Sequence, residues 1–265
     1  MKKMLPILLT VIMSLVLLLA GGVYFFQESL LFFPEKLDQN FQFDFEPEFE
    51  EVFVKMEDGT PIHGLLFKSQ KSKGLIFYLH GNAGSLGTWG GVATTYTDLN
   101  YDVFVVDFRG YGKSGGRISG ESQLFDDMLQ VYEDMKKRYN EENIIVLGYS
   151  MGSGPATYLS AGNHPKMLIL QAPFYSLTDI IKQFFPFIPS FLLKYRFENF
   201  SYIQKCKMPV YIFHGDRDEI IHFSASIRLK EYLKPEDRVV FLDGQEHNGM
   251  AFNQEYMREL KKILE

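Results

Sequence analysis

Gly148-Tyr149-Ser150-Met151-Gly152 is the stretch on which the reading of this chain turns. Before it runs Asn143-Ile144-Ile145-Val146-Leu147, apolar and rich in β-branched residues, which predicts a buried parallel strand. After it Ser153, Gly154, Pro155, Ala156 and Thr157 open a helix. A G-x-S-x-G between a strand and a helix is the setting of a nucleophile elbow. A serine on so sharp a turn sits in a strained backbone conformation, and neighbours without a Cβ let strand and helix pass close to each other. The turn also aims the N–H groups of the helix start at whatever binds the serine.

Around this stretch the chain alternates strand and helix. Glu51 to Met56 and Pro61 to Lys68 read as two strands joined at Glu57-Asp58-Gly59-Thr60, a D-G hairpin signal. Further strands are predicted over Gly74 to Leu79, Asp102 to Asp107, Asn143 to Leu147, Met167 to Leu170, Pro209 to Phe213 and Arg238 to Leu242. Helices are predicted over 87–99, where glycines weaken the pattern, and over 120–139, 222–233 and 249–264. Such alternation implies an α/β fold, a mainly parallel sheet with helices on both faces. Reactive groups gather at the carboxyl ends of such strands, and every polar, glycine-rich loop of interest here follows a strand.

A serine hydroxyl needs a base to take its proton, and the base needs orienting. With an elbow of this kind the chain order is serine, acid, histidine. His247 follows the last strand and precedes the last helix, so it is the candidate base. The acid is Asp218 or Asp216, in His214-Gly215-Asp216-Arg217-Asp218-Glu219. The spacing favours Asp218, several residues past the strand, over Asp216; Glu219 and Asp243 are weaker candidates. The oxyanion donors are expected to be the backbone N–H of Met151 and, from the loop His80-Gly81-Asn82-Ala83-Gly84, that of Asn82. His80 reads as a histidine that holds this loop. His214 similarly ends a strand, and His63, His164 and His222 look incidental.

The 265 residues suit one domain with a full core, and 25 Phe and 15 Tyr make it rich in aromatics. A net charge of −6 argues against nucleic acid as a partner. Cys206 is the one cysteine, so no internal disulfide forms, and no Cys/His spacing resembles a zinc site; no cofactor is expected. From Met4 to Phe26 run 23 uncharged residues dominated by Leu, Ile and Val, enough to span a bilayer. Lys2 and Lys3 precede them, while Glu28, Glu35 and Asp38 against Lys36 alone follow. This places the N-terminus in the cytoplasm and the rest outside. A cleaved signal peptide, cut near Ala20-Gly21-Gly22, is the competing reading. Residues 1–27 are thus taken as tip and anchor and 28–265 as the second unit. Phe32, Phe33, Phe41, Phe43, Phe45 and Phe49 are expected to pack on its surface rather than in the headgroups.

These motifs together resemble the alpha/beta-hydrolase superfamily. The residues that carry the likeness are His80-Gly81-Asn82-Ala83-Gly84, Asp107-Phe108-Arg109-Gly110-Tyr111-Gly112-Lys113-Ser114-Gly115, Gly148-Tyr149-Ser150-Met151-Gly152, His214-Gly215-Asp216-Arg217-Asp218 and His247, in family order. The pattern is most similar to the small membrane-anchored branch, with a hydrophobic segment followed by a step such as Phe32-Phe33-Pro34. The likeness covers roughly residues 28–262 and implies Ser150 as nucleophile, Asp218 as acid and His247 as base. Serine in the elbow departs from epoxide hydrolases and dehalogenases, which hold aspartate, and from dienelactone hydrolases, which hold cysteine. The Gly-Gly-Pro-Gly loop of proline iminopeptidases is absent, and Glu246 stands before His247 where relatives often have glycine.

Between Ala172 and Met208 about 36 residues leave room for a short helical cap, apolar from Ile180 to Leu193. The expectation is a membrane-anchored serine hydrolase acting on a small-molecule or lipid-like acyl ester. An amide, peptide or thioester hydrolase would use the same parts, and a non-catalytic membrane-tethered binding protein is the rival from another class.

Overall fold

The computed structural model describes residues 4–265. Lys2 and Lys3, on which the expected orientation in a membrane rests, lie outside the described residues. Eight strands form one sheet: β1 (Phe49–Lys55), β2 (Pro61–Phe67), β3 (Leu75–Leu79), β4 (Asp102–Val106), β5 (Ile144–Tyr149), β6 (Met167–Gln171), β7 (Val210–Gly215) and β8 (Arg238–Leu242). Their order across the sheet is β8-β7-β6-β5-β3-β4-β2-β1. The β1–β2 and β2–β4 pairs are antiparallel, and all others are parallel. The expected hairpin and parallel core are therefore both present.

Alternation along the strands builds two cores. Phe77, Leu79, Phe104, Val146, Leu168 and Ile212 face one way, onto the helices Glu121–Lys136 and Ser153–Gly162. Ile76, Tyr78, Val103, Val105, Ile145 and Leu147 face the other, onto Leu86, Tyr96 and the C-terminal helix Gln254–Leu264. A sheet covered on both faces needs apolar strands, and the central strands β3 to β6 are buried at every position and apolar but for Asp102 and Gln171 at their ends. The helix expected over 87–99 is broken. Helices Leu86–Trp89 and Ala93–Thr97 are joined by a tighter turn at Gly90–Val92. A Cβ at Gly90 would fall on the Phe45 ring, so close packing set the residue there and a straight helix was lost.

The chain steps from β3 to β4 on one side, then returns to place β5 on the other side of β3. The crevice of such a sheet opens where this reversal occurs. Leu79, the last residue of β3, pairs with Gly148 of β5, so the loop from His80 and the turn at Ser150 emerge side by side.

Helix α1 (Met4–Leu31) projects from this body. Its stretch Val11–Leu31 is long and apolar enough to cross a membrane, and Leu17, Leu18, Leu19, Phe25 and Phe26 are exposed. Of the phenylalanines that follow it, Phe32 is buried, Phe45 and Phe49 pack beside Phe67 with Phe43 against both of them, and Phe33 and Phe41 stay exposed.

Candidate active site

The elbow is built as its sequence demands. Ser150 has φ of +51°, a left-handed conformation that costs a side-chain-bearing residue about 1 kcal/mol or more. A Cβ at Gly152 would fall on the carbonyl oxygens of Leu79 and His80, and one at Gly148 would meet Ala156 and Ser153. Both glycines are there for close approach. Ser150 itself begins a single tight turn, Ser150–Gly152, that runs into the helix Ser153–Gly162.

Three expected residues come together beside it. His247 Nε2 lies 3.0 Å from Ser150 Oγ, and His247 Nδ1 lies 2.7 Å from Asp218 Oδ2. An ionised carboxylate can only accept, so Nδ1 carries the ring hydrogen and Nε2 presents its lone pair to the serine hydroxyl. Ser150 and His247 are 8% and 7% exposed, enough for a reacting group to reach and too little for bulk water to compete freely.

Asp218 is the buried carboxylate of its loop; Asp216, Glu219 and Asp243 are all exposed. Asp216 accepts instead from the N–H of Gly244 at 2.8 Å, bracing the turns after β7 and β8. The Asp218 Oδ1 atom accepts from the N–H groups of Ile220 and Ile221 at 2.9 and 2.8 Å. Burial by itself would raise this carboxyl's pKa. Hydrogen bonds from His214 and His247, the charge of His247 and the Ile221 N–H outweigh it, and hold the acid well below the usual carboxylate range.

His214 is a supporting residue that sequence reasoning left without a role. Its Nε2 donates to the Ile221 carbonyl at 2.7 Å and lies 3.3 Å from Asp218 Oδ2, while Nδ1 accepts from the Ser226 hydroxyl at 2.6 Å. It thus ties the acid's loop to the helix Ser224–Lys230. The signal was its position at the end of β7, four residues before the acid. The Tyr149 hydroxyl donates to the His247 carbonyl, fixing the loop that carries the histidine. His63 is not incidental either: it is fully buried, stacked on Phe43, and 3.0 Å from Glu51, which also takes Lys113 at 2.7 Å.

The loop His80–Gly84 packs on the elbow, since a Cβ at Gly81 would meet both Tyr149 and Trp89. His80 is fully buried, with Nδ1 2.6 Å from the Gly81 carbonyl and Nε2 3.3 Å from Asp107. Asp107 also accepts from the Leu86 N–H. Among the described residues the backbone N–H of Asn82 makes no hydrogen bond within the protein. The rest of Asn82 is held tightly. Its side-chain amide donates to the Leu31 carbonyl at 2.6 Å, and the Tyr111 hydroxyl donates to its backbone carbonyl at 2.7 Å. Phe33 and Pro34 pair with Ala83 and Gly84, Glu35 N–H donates to Gly84, and Ser85 donates to the Glu35 carboxylate at 2.9 Å. The segment leaving α1 is therefore a strand-like brace for this loop, a contact no local pattern announced.

The body carries two hollows of about 870 and 780 Å³. The first lies between the end of α1 and residues 109–119, the second behind Tyr149 and Asn248, and neither is lined by Ser150 or His247. No cluster of His, Cys, Asp and Glu among the described residues has the arrangement of a metal site.

Residues 70–201 match the family described as serine aminopeptidase, S33. The chain is 30% identical over 202 residues to human (Homo sapiens) alpha/beta hydrolase domain-containing protein 17B, covering 74% of this chain and 68% of that one. The chain belongs to the alpha/beta-hydrolase superfamily. This alpha/beta hydrolase is also 30% identical over 225 residues to the protein bem46 of Schizosaccharomyces pombe, with 79% of this chain and 75% of the other covered. Its fold is similar to that of an esterase from Pyrococcus furiosus, with a TM-score of 0.69, 20% identity, and 88% and 97% of the two chains covered.

Proposed function

We propose that this alpha/beta hydrolase is a membrane-anchored serine esterase that cleaves acyl esters through a Ser150–His247–Asp218 triad and an acyl-enzyme. The observation that carries the proposal is the line of hydrogen bonds from Asp218 to His247 to Ser150, at 2.7 and 3.0 Å. In the proposed reaction His247 Nε2 takes the Ser150 proton as Oγ attacks the ester carbonyl. The N–H groups of Met151 and Asn82 hold the oxyanion, and Asp218 stabilises the imidazolium. His247 then protonates the leaving alcohol, and water, deprotonated by the same histidine, releases the acid. No step calls for a cofactor. A binding protein would not need an acid, a base and a strained serine aligned in this way.

The apolar helix α1 and the apolar cap support an acyl substrate held near a bilayer. In this reading α1 is a single-pass anchor with its N-terminus in the cytoplasm and the hydrolase body outside, following the lysines before it and the acids after it. A signal-peptide cut after Gly22 would still leave Gln27 to Leu31, which dock on the body, in the mature chain. An amide-cleaving reading takes its support from the matched family's description as serine aminopeptidase.

The test is labelling by a fluorescent fluorophosphonate of wild type, Ser150→Ala and His247→Ala, followed by a panel of acyl esters, thioesters and aminoacyl anilides. Wild type should label and both variants should not, with esters turned over fastest. Labelling retained in Ser150→Ala would overturn the nucleophile, and anilides turned over faster than esters would favour the aminopeptidase reading. Membrane-fraction mass and protease accessibility of the intact chain test the anchor and its direction.

A further inference from the structure

We propose that Phe184 to Leu193, the apolar tip of the expected cap segment beyond the helix Leu177–Phe184, rests in the lipid interface beside α1, whose last residue also holds the loop beside Ser150, so that substrate reaches Ser150 from the bilayer rather than from water; this rests on the anchor reading above. The depth of the tip is set by hydrogen bonds to the helix. Gln27, 3% exposed, donates from Nε2 to the Leu192 carbonyl at 2.7 Å and accepts from the Lys194 N–H at 2.9 Å. Glu28 takes Lys194 Nζ at 3.1 Å and the Tyr195 hydroxyl at 3.0 Å, and Lys194 lies over the Tyr24 ring at 4.7 Å. Gln27 belongs to the stretch Val11–Leu31 and lies one helical turn, about 6 Å, before its end. The cap is thus fastened to the helix at the level where the helix leaves hydrocarbon.

The surface at that level is apolar. Phe184, Phe185, Phe187 and Phe191 are 65%, 60%, 94% and 78% exposed, and Phe25 and Phe26 on the helix are 73% and 64% exposed. Four bare phenylalanines within eight residues are costly in water, and aromatic rings settle at the headgroup boundary. Pro186 and Pro189 also remove two backbone donors from the loop, which eases its entry into lipid. Charge agrees with this. From Ile180 to Phe197 the charged residues are Lys182, Lys194 and Arg196, with no acid, in a chain of net charge −6. Of these Lys194 is paired with Glu28, while Lys182 and Arg196 stay exposed at the foot of the tip and suit headgroup phosphates.

The full chain in vesicles of phosphatidylglycerol and phosphatidylcholine carries the test. Nitroxide labels go on Phe187→Cys, Phe191→Cys, Leu18→Cys and Lys137→Cys in turn; the native Cys206 is 2% exposed and does not compete. Relaxation by oxygen should exceed relaxation by a water-soluble nickel chelate at 187, 191 and 18, and the reverse should hold at 137. Label 18 in lipid with 187 and 191 in water overturns this proposal and leaves the anchor intact, whereas label 18 in water overturns the anchor reading itself. Dipolar broadening at 187 that vanishes on dilution with unlabelled chain would mean that a second copy covers the tip, which also overturns it. Phe187→Ser with Phe191→Ser should raise KM for a vesicle-embedded long-chain ester about tenfold and leave turnover of a short soluble ester within about twofold; equal effects on both would overturn entry from the bilayer.

Discussion

The side-chain amide of Asn82 donates to the backbone carbonyl of Leu31 at 2.6 Å, which ties the loop beside Ser150 to the last residue of the apolar helix. Tyr111 holds the Asn82 backbone carbonyl as well, so the residue is pinned through both its side chain and its backbone. In the proposed reaction this N–H holds the oxyanion, and loosening such a donor by a fraction of an ångström weakens it in the transition state more than in the ground state. Asn82→Ala should therefore lower kcat about 10- to 100-fold with KM within about twofold. Steady-state kinetics on a soluble ester, beside a thermal melt that moves by no more than about 2 °C, measure this.

In the proposed triad Asp218 orients His247, so Asp218→Asn should cut kcat about 10⁴-fold while the fold persists, because an amide at that position favours the wrong imidazole tautomer. The same carboxyl predicts a pH effect. Its folded pKa lies below its unfolded value, so its contribution to stability is complete above about pH 4 and fades as pH falls toward the folded value. Urea midpoints measured from about pH 5 down to about pH 3 should fall for wild type and fall less steeply for Asp218→Asn. Equal slopes would mean that the carboxyl's pKa is not held down in the folded state.

Gly152 has no room for a methyl group, because the carbonyl oxygens of Leu79 and His80 occupy that space. Gly152→Ala should cost about 1–3 kcal/mol and displace Ser150 from His247, so denaturant midpoint and fluorophosphonate labelling should drop together. Gly162→Ala, where the added Cβ meets nothing, is the control and should leave both near wild type.

Cys206 lies 2% exposed behind the helix Ser153–Gly162, and burial pushes its thiol up to about 12. At neutral pH the thiolate fraction is negligible, so the native protein should not react with an aromatic disulfide reagent over an hour. In guanidinium one thiol per chain should react at once. Reaction of the native protein at a comparable rate would place this residue at the surface.

Much of the fold was legible because its signals are local. A parallel sheet buried on both faces writes itself as apolar runs, and each of the eight expected strands lies within two residues of an observed one at either end. The helix predicted over 87–99 broke because Phe45, more than 40 residues earlier, packs against Gly90, and no window of sequence contains both. That Ser150 and His247 would stand side by side was legible from their loops alone, as a strained turn and a histidine after the final strand.

What the sequence by itself determined is the strand–helix alternation, the elbow and an apolar helix with acids after it, since each depends on spacing within a few residues. Only the tertiary structure decided which of Asp218 and Asp216 faces His247. They stand two residues apart in one loop, and which one turns inward depends on His214 beneath it and on His247, 29 residues away on the next strand's loop. Only the tertiary structure, likewise, joined Leu31 to Asn82 and Gln27 to Leu192, 51 and 165 residues apart, because backbone amides and carbonyls are present at every position and carry no mark in the sequence of the partner that will satisfy them.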